Sequence, residues 1–74
     1  MFTDIFVSFL QWKKITPYRV AKETGISQGL MNEYKSGKKL PTLQNVTKIA
    51  DYLDCSVDYL LGRTNNPNSH KKNA

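Results

Sequence analysis

Apolar residues recur along this chain at helical spacing and almost nowhere in the alternation of a strand. Phe2, Ile5, Phe6, Phe9 and Leu10 fall at i, i+3, i+4, i+7 and i+8, the stripe of a first helix that ends near Lys14. Thr3 is its candidate cap, and the bases Lys13 and Lys14 suit its negative C-terminal end. A second helix opens on Thr16-Pro17, an N-cap followed by proline where a missing N–H costs nothing. It runs to about Thr24 and stops at Gly25, the usual residue for a left-handed position. Ser27 caps a third helix, which runs to Ser36 ahead of Gly37. After the loop Lys38-Lys39-Leu40-Pro41, Thr42 caps a fourth, with Leu43, Val46, Ile49, Ala50 and Leu53 on one face. Ser56 caps a short fifth helix with Val57, Leu60 and Leu61 inward and Gly62 after it. Caps, stripes and stops agree on an all-α domain over residues 1–62. From Arg63 the only hydrophobic residue is the final alanine, so residues 63–74 are expected to form a flexible, disordered polar tail. Its bases add either non-specific affinity for a polyanion or plain solubility.

Composition narrows the function classes. Seventy-four residues hold one small domain. The lone Cys55 excludes an internal disulfide and a four-cysteine zinc site, and the single His70 lies in the polar tail. No convergent acid, base and nucleophile set is visible, so the chain is expected not to be an enzyme and to need no cofactor or metal. No apolar run approaches the ~20 residues that span a bilayer. Asp4 sits where a secretion signal would be positive, so the apolar N-terminus reads as part of the mature fold and the location as cytoplasmic. The net charge is +5, and it is unevenly spread. Residues 13–39 carry Lys13, Lys14, Arg19, Lys22, Lys35, Lys38 and Lys39 against only Glu23 and Glu33. Residues 40–62 set Lys48 against Asp51, Asp54 and Asp58. A positive central third suits a polyanion; by charge alone it equally suits a solvated lysine surface.

The stretch TPYRVAKETGISQGLMNEYKSG, residues 16–37, decides between those readings. Two short helices joined by a three-residue turn need a small residue where they approach, and Ala21 supplies it. Gly25 allows positive φ at the turn, Ile26 plugs the corner, and Val20, Met31 and Tyr34 face the rest of the bundle. This is the pattern of a helix-turn-helix.

Over residues 5–62 the chain resembles the Xre/Cro family of helix-turn-helix domains. The likeness rests on the Ala21/Gly25 pair, Ile26-Ser27, Gly37 with a basic loop to Pro41, and the ending LDCSVDYLLG. It implies a compact five-helix, lambda repressor-like bundle that binds double-stranded DNA with helix 27–36 in the major groove. The implied base-reading residues are Ser27, Gln28, Gly29, Leu30, Asn32 and Glu33. Gln28 and Asn32 match adenine N6/N7 in two-pronged hydrogen bonds, and Glu33 can accept from a cytosine amino group. Leu30 meets a thymine methyl or else completes the core; Glu33 is otherwise a plain surface charge. Gly29 either admits close approach to DNA or is simply tolerated, at about 1 kcal/mol against alanine. Implied phosphate contacts are Thr16, Tyr18, Lys35, Ser36, Lys38 and Lys39.

Three departures stand out from that resemblance. Pro17 replaces a phosphate-contacting glutamine, and Leu10 and Lys35 replace an arginine–glutamate pair, which leaves Lys35 free for phosphate. Trp12 replaces a small or polar residue and is expected in the core, the alternative being an outward place in a dimer. The expected function is a sequence-specific transcriptional regulator, a repressor acting as a homodimer on an inverted repeat. Tyr52, Val57, Tyr59 and Leu60 are its candidate interface. The alternative is an antitoxin that neutralises a toxin and autoregulates its operon, though a short polar tail is a poor toxin wrap. An RNA adaptor is disfavoured because the reading face lacks an exposed aromatic pair. Neither a membrane nor a small-molecule partner is expected.

Overall fold

The computed structural model describes residues 2–66. Among these residues, five helices account for the architecture: α1 (Phe2–Lys13), α2 (Pro17–Thr24), α3 (Gln28–Ser36), α4 (Leu43–Leu53) and α5 (Val57–Leu60). The caps follow local chemistry. Thr16, Ser27, Thr42 and Ser56 each hold extended φ/ψ and accept the N–H of the third residue on, at 3.0–3.2 Å. Each such bond satisfies an otherwise orphaned donor, worth about 1 kcal/mol.

Thr3 does not cap α1. The helix already includes Phe2, whose ring stacks on Phe6 at 5.1 Å and meets Tyr34 edge-on at 6.4 Å. That burial draws Phe2 into the first turn, and the half-buried Thr3 side chain lies beneath the Gly37 turn instead.

Gly25 and Gly37 end α2 and α3 with φ of 79° and 84°. The other two long helices end the same way without glycine. At the end of α1, Lys14 takes φ 58°; its N–H donates to the Gln11 carbonyl and that of Ile15 to the Leu10 carbonyl, at 3.2 and 2.9 Å. At the end of α4, Asp54 takes φ 55° with matching bonds from Asp54 and Cys55.

α2 packs on α3 and α4, α1 on α3 and α5, and α4 on α5. Phe6, Val20, Met31, Tyr34, Val46, Ile49 and Leu60 are fully enclosed where these contacts converge. Helix α3 is therefore clamped from two sides. One polar link reinforces it: the Asn45 side-chain amide of α4 donates to the Tyr34 hydroxyl at 2.9 Å.

Three residues expected to face inward lie at the surface. Leu43 is 73% exposed because it is the first residue of α4 and the inward stripe begins a turn later, at Val46. Leu61 lies past the end of α5 and is exposed. Trp12 is 63% exposed; its indole packs edge-on against Phe9 at 5.5 Å and lies under the Lys13 ammonium at 4.3 Å. A cation over the ring face satisfies an aromatic at the surface, so no core site is needed. Of the expected tail, Arg63 is fastened back on α5, its N–H donating to the Asp58 carbonyl at 2.8 Å. The expectations for residues 67–74, His70 included, lie outside the described residues.

Candidate nucleic-acid interface

The corner between α2 and α3 is fixed by few atoms. Ala21 and Ile26 are buried and Gly25 turns the chain, its N–H donating to the Ala21 carbonyl at 3.0 Å. Thr24 adds a second fastening: its hydroxyl donates to the Val20 carbonyl at 2.7 Å and accepts from the Ile26 N–H at 3.4 Å. This corner sets the angle at which α3 leaves the bundle.

Met31 and Tyr34 point into the core, each 1% exposed, and so fix the rotation of α3. With that phase, Gln28 and Asn32, four residues apart, share an exposed face. Among the described residues neither side-chain amide has an internal hydrogen bond, so both retain donors and acceptors for an outside partner. The Ser27 hydroxyl is exposed but engaged in capping. Leu30 is half-buried and packs against the core, which leaves part of its side chain at the surface. Glu33 is half-buried as well, and its carbonyl accepts from the Ser36 hydroxyl and from the Lys39 N–H, both at 3.3 Å. Gly29 is exposed, and a Cβ built there meets nothing within 4 Å. The bundle itself thus places no demand for glycine at this position.

Three surface depressions gather the remaining expected residues. One, of about 480 Å³, joins Asn32 and Glu33 to Lys35, Ser36 and Lys38. A second, about 630 Å³, has an apolar floor of Val7, Leu10 and Ile15, with Lys35 and Thr16 at its edge. The third, about 640 Å³, brings Thr16 and Tyr18 together with Arg19, Lys22 and Tyr52. Lys35 belongs to the first two and Thr16 to the last two, so the expected phosphate contacts Thr16, Tyr18, Lys35, Ser36 and Lys38 form a continuous band beside the exposed face of α3, while Lys39 lines none of the three. Lys14, Arg19 and Lys22 join that band without having been singled out by the motif. Arg19 is held by Glu23 at 3.6 Å, one helical turn away.

The candidate interface for a second copy divides. Tyr52, Val57 and Tyr59 are half-buried, with Tyr59 edge-on to Phe9 at 5.8 Å. Leu60 is 0% exposed and serves the core, so it has no surface to offer a partner. Cys55 is buried beside them, and burial, helped by the adjacent Asp54 carboxylate, pushes its thiol up to about 11.

Comparison with known proteins places the helix-turn-helix in a family. The profile of the Cro/C1-type helix-turn-helix DNA-binding domain matches residues 8–65. A stretch of 48 residues is 48% identical to the cryptic phage CTXphi transcriptional repressor RstR of Vibrio cholerae, covering 65% of this chain and 43% of that protein. Two Bacillus subtilis proteins named as uncharacterized HTH-type transcriptional regulators also match. YobD is 35% identical over 73% of this chain and 48% of its own length, and YqaE is 31% identical over 82% and 53%. The chain thus spans about half the length of the curated relatives it matches. No solved structure matches it.

Proposed function

This chain belongs to the Cro/C1-type helix-turn-helix DNA-binding family, and from that premise we propose that it is a sequence-specific transcriptional repressor working on the nucleoid in the cytoplasm. The observation that carries the proposal is the exposed pair Gln28 and Asn32 on α3, whose amides are unspent within the chain. They are exposed where Met31 and Tyr34 of the same helix are buried, and lie beside a basic band. An amide of this kind reads adenine through N6 and N7, while the lysines hold the flanking phosphates without reading sequence. Ser27, Gly29, Leu30 and Glu33 complete the reading face; Thr16, Tyr18, Lys35, Ser36, Lys38 and Lys39 hold the backbone. Repression, rather than activation, follows the relative named as a repressor.

One short helix covers too few bases for high affinity, so the working form is a homodimer on an inverted repeat. Half-sites one helical turn apart, about 34 Å, would then lie on one face of the DNA. Tyr52, Val57 and Tyr59, half-exposed on α4 and α5, are the surface proposed for that contact. DNase footprinting on DNA around its own gene tests the reading. Protection of a palindrome that disappears with Gln28→Ala is the expected result. Equal, unpatterned binding by both proteins would refute specific recognition.

A further inference from the structure

Lys14 holds a backbone conformation that its side chain does not favour. Its φ is 58°, in the left-handed region where a Cβ crowds the following carbonyl. The turn that ends α1 requires such a residue, as the Lys14-to-Gln11 and Ile15-to-Leu10 hydrogen bonds show. Glycine would make the same bonds without that crowding, and glycine takes the left-handed position after α2 and α3. Asp54 makes a similar turn, but aspartate is among the residues at ease there, and lysine is not. The turn alone therefore does not account for a lysine.

Its surroundings point to a ligand. Lys14 is exposed and, among the described residues, joins neither the Arg19–Glu23 nor the Arg63–Asp58 ion pair. It lines both depressions that flank the entry to α2, sharing one with Lys35 and the other with Tyr18, Arg19 and Lys22. At that entry Pro17 has removed one backbone N–H, a donor that an anion there would otherwise use. We infer that Lys14 is a phosphate-binding residue, whose ammonium links Lys35 to the Tyr18–Lys22 side of the basic band and seats the DNA backbone across the start of α2. Its flexible point charge suits a phosphate and not a base edge. The inference rests on the DNA-binding reading above and adds a contact to it.

The test sets stability against binding. Lys14→Gly relieves the crowded turn, so its melting temperature should rise above that of the wild type. On the protected duplex its affinity should fall several-fold at low salt. The slope of log K against log salt should flatten by about 0.9 per subunit, the loss of one phosphate contact. Lys14→Asn, also at ease in a left-handed turn, should flatten it equally, and Lys14→Arg should restore the wild-type slope. Glycine and asparagine variants that keep both the wild-type slope and affinity would overturn the inference. So would an arginine variant as weak as the glycine one. Wild-type protein with no salt-dependent binding to any duplex would overturn the DNA-binding reading, and this contact with it.

Discussion

α3 and α4 begin alike and differ in where they invest their surface. They run 9 and 11 residues, and each opens on a hydroxyl residue that caps its first turn. α4 buries Val46, Ile49, Ala50 and Leu53, a stripe along its whole length. α3 buries only Met31 and Tyr34, with Leu30 partly covered, and keeps amide side chains facing out. A fully buried aliphatic side chain contributes about 1.5–3 kcal/mol, so α4 is held mainly by its own stripe. α3 relies on being clamped by α1 and α2 and on the Asn45–Tyr34 bond. On the proposed reading, folding and recognition are carried by different side chains, and mutation can separate them.

The largest effect is expected in α4. Ile49→Ala opens a cavity at a fully buried site and should cost about 2–5 kcal/mol, read by denaturant unfolding. DNA affinity should fall only as far as the folded fraction does; altered base preference in the folded remainder would break the comparison. Tyr34→Phe comes next. It removes the acceptor of the Asn45 amide, for a cost of about 1 kcal/mol in the same assay. Its binding loss should exceed its folding loss, since α3 is the helix released. Equal losses would show that the bond steadies the bundle and does not orient α3.

Gly29→Ala sharpens the comparison from the other side. With nothing within 4 Å of the new Cβ, the free protein should gain up to about 1 kcal/mol in thermal stability. Tighter or unchanged DNA binding would mark the glycine as merely tolerated, and weaker binding would mark a close approach to DNA. The smallest effect concerns pH. The Cys55 thiol is raised by burial, and then by Asp54, from 9.0 to about 11. The folded state therefore holds its proton above the pH at which the unfolded chain releases it. This contribution is full below pH 9 and is lost as pH rises from 9 toward 11. Melting curves of wild type and Cys55→Ala should run parallel below pH 9 and converge above it; parallel curves throughout would refute the shift.

Much of this fold was legible because its signals are local. A Ser or Thr before a helix, a proline at its first position and a glycine after its end act on their own hydrogen bonds. Thr16, Ser27, Thr42, Ser56, Gly25 and Gly37 all behave as those rules dictate. Local rules failed where a distant contact decided. Phe2 enters α1 because Phe6 and Tyr34 bury it, which displaces Thr3 from the cap. Leu43 and Leu61 are apolar residues at helix ends, where the bundle and not the period determines the facing side. Trp12, a departure from the family pattern expected in the core, lies at the surface, where Lys13 and Phe9 suffice to hold it. The left-handed turns at Lys14 and Asp54 carried no glycine to announce them. In the site, the outward face of α3 followed from the phase set by Met31 and Tyr34. The basic band did not, because it is assembled from α1, α2 and α3, segments separated in sequence.

The central claim, that Gln28 reads a base while the core holds α3 in place, is tested most directly by a double-mutant cycle across the interface. One arm is Gln28→Ala; the other replaces single adenines of the protected site with 7-deazaadenine, which lacks N7. For wild type, one such replacement should weaken binding by about 1–3 kcal/mol. For Gln28→Ala, whose melting temperature should match the wild type, the same replacement should cost nothing further. An equal penalty in both proteins at every adenine would contradict the account.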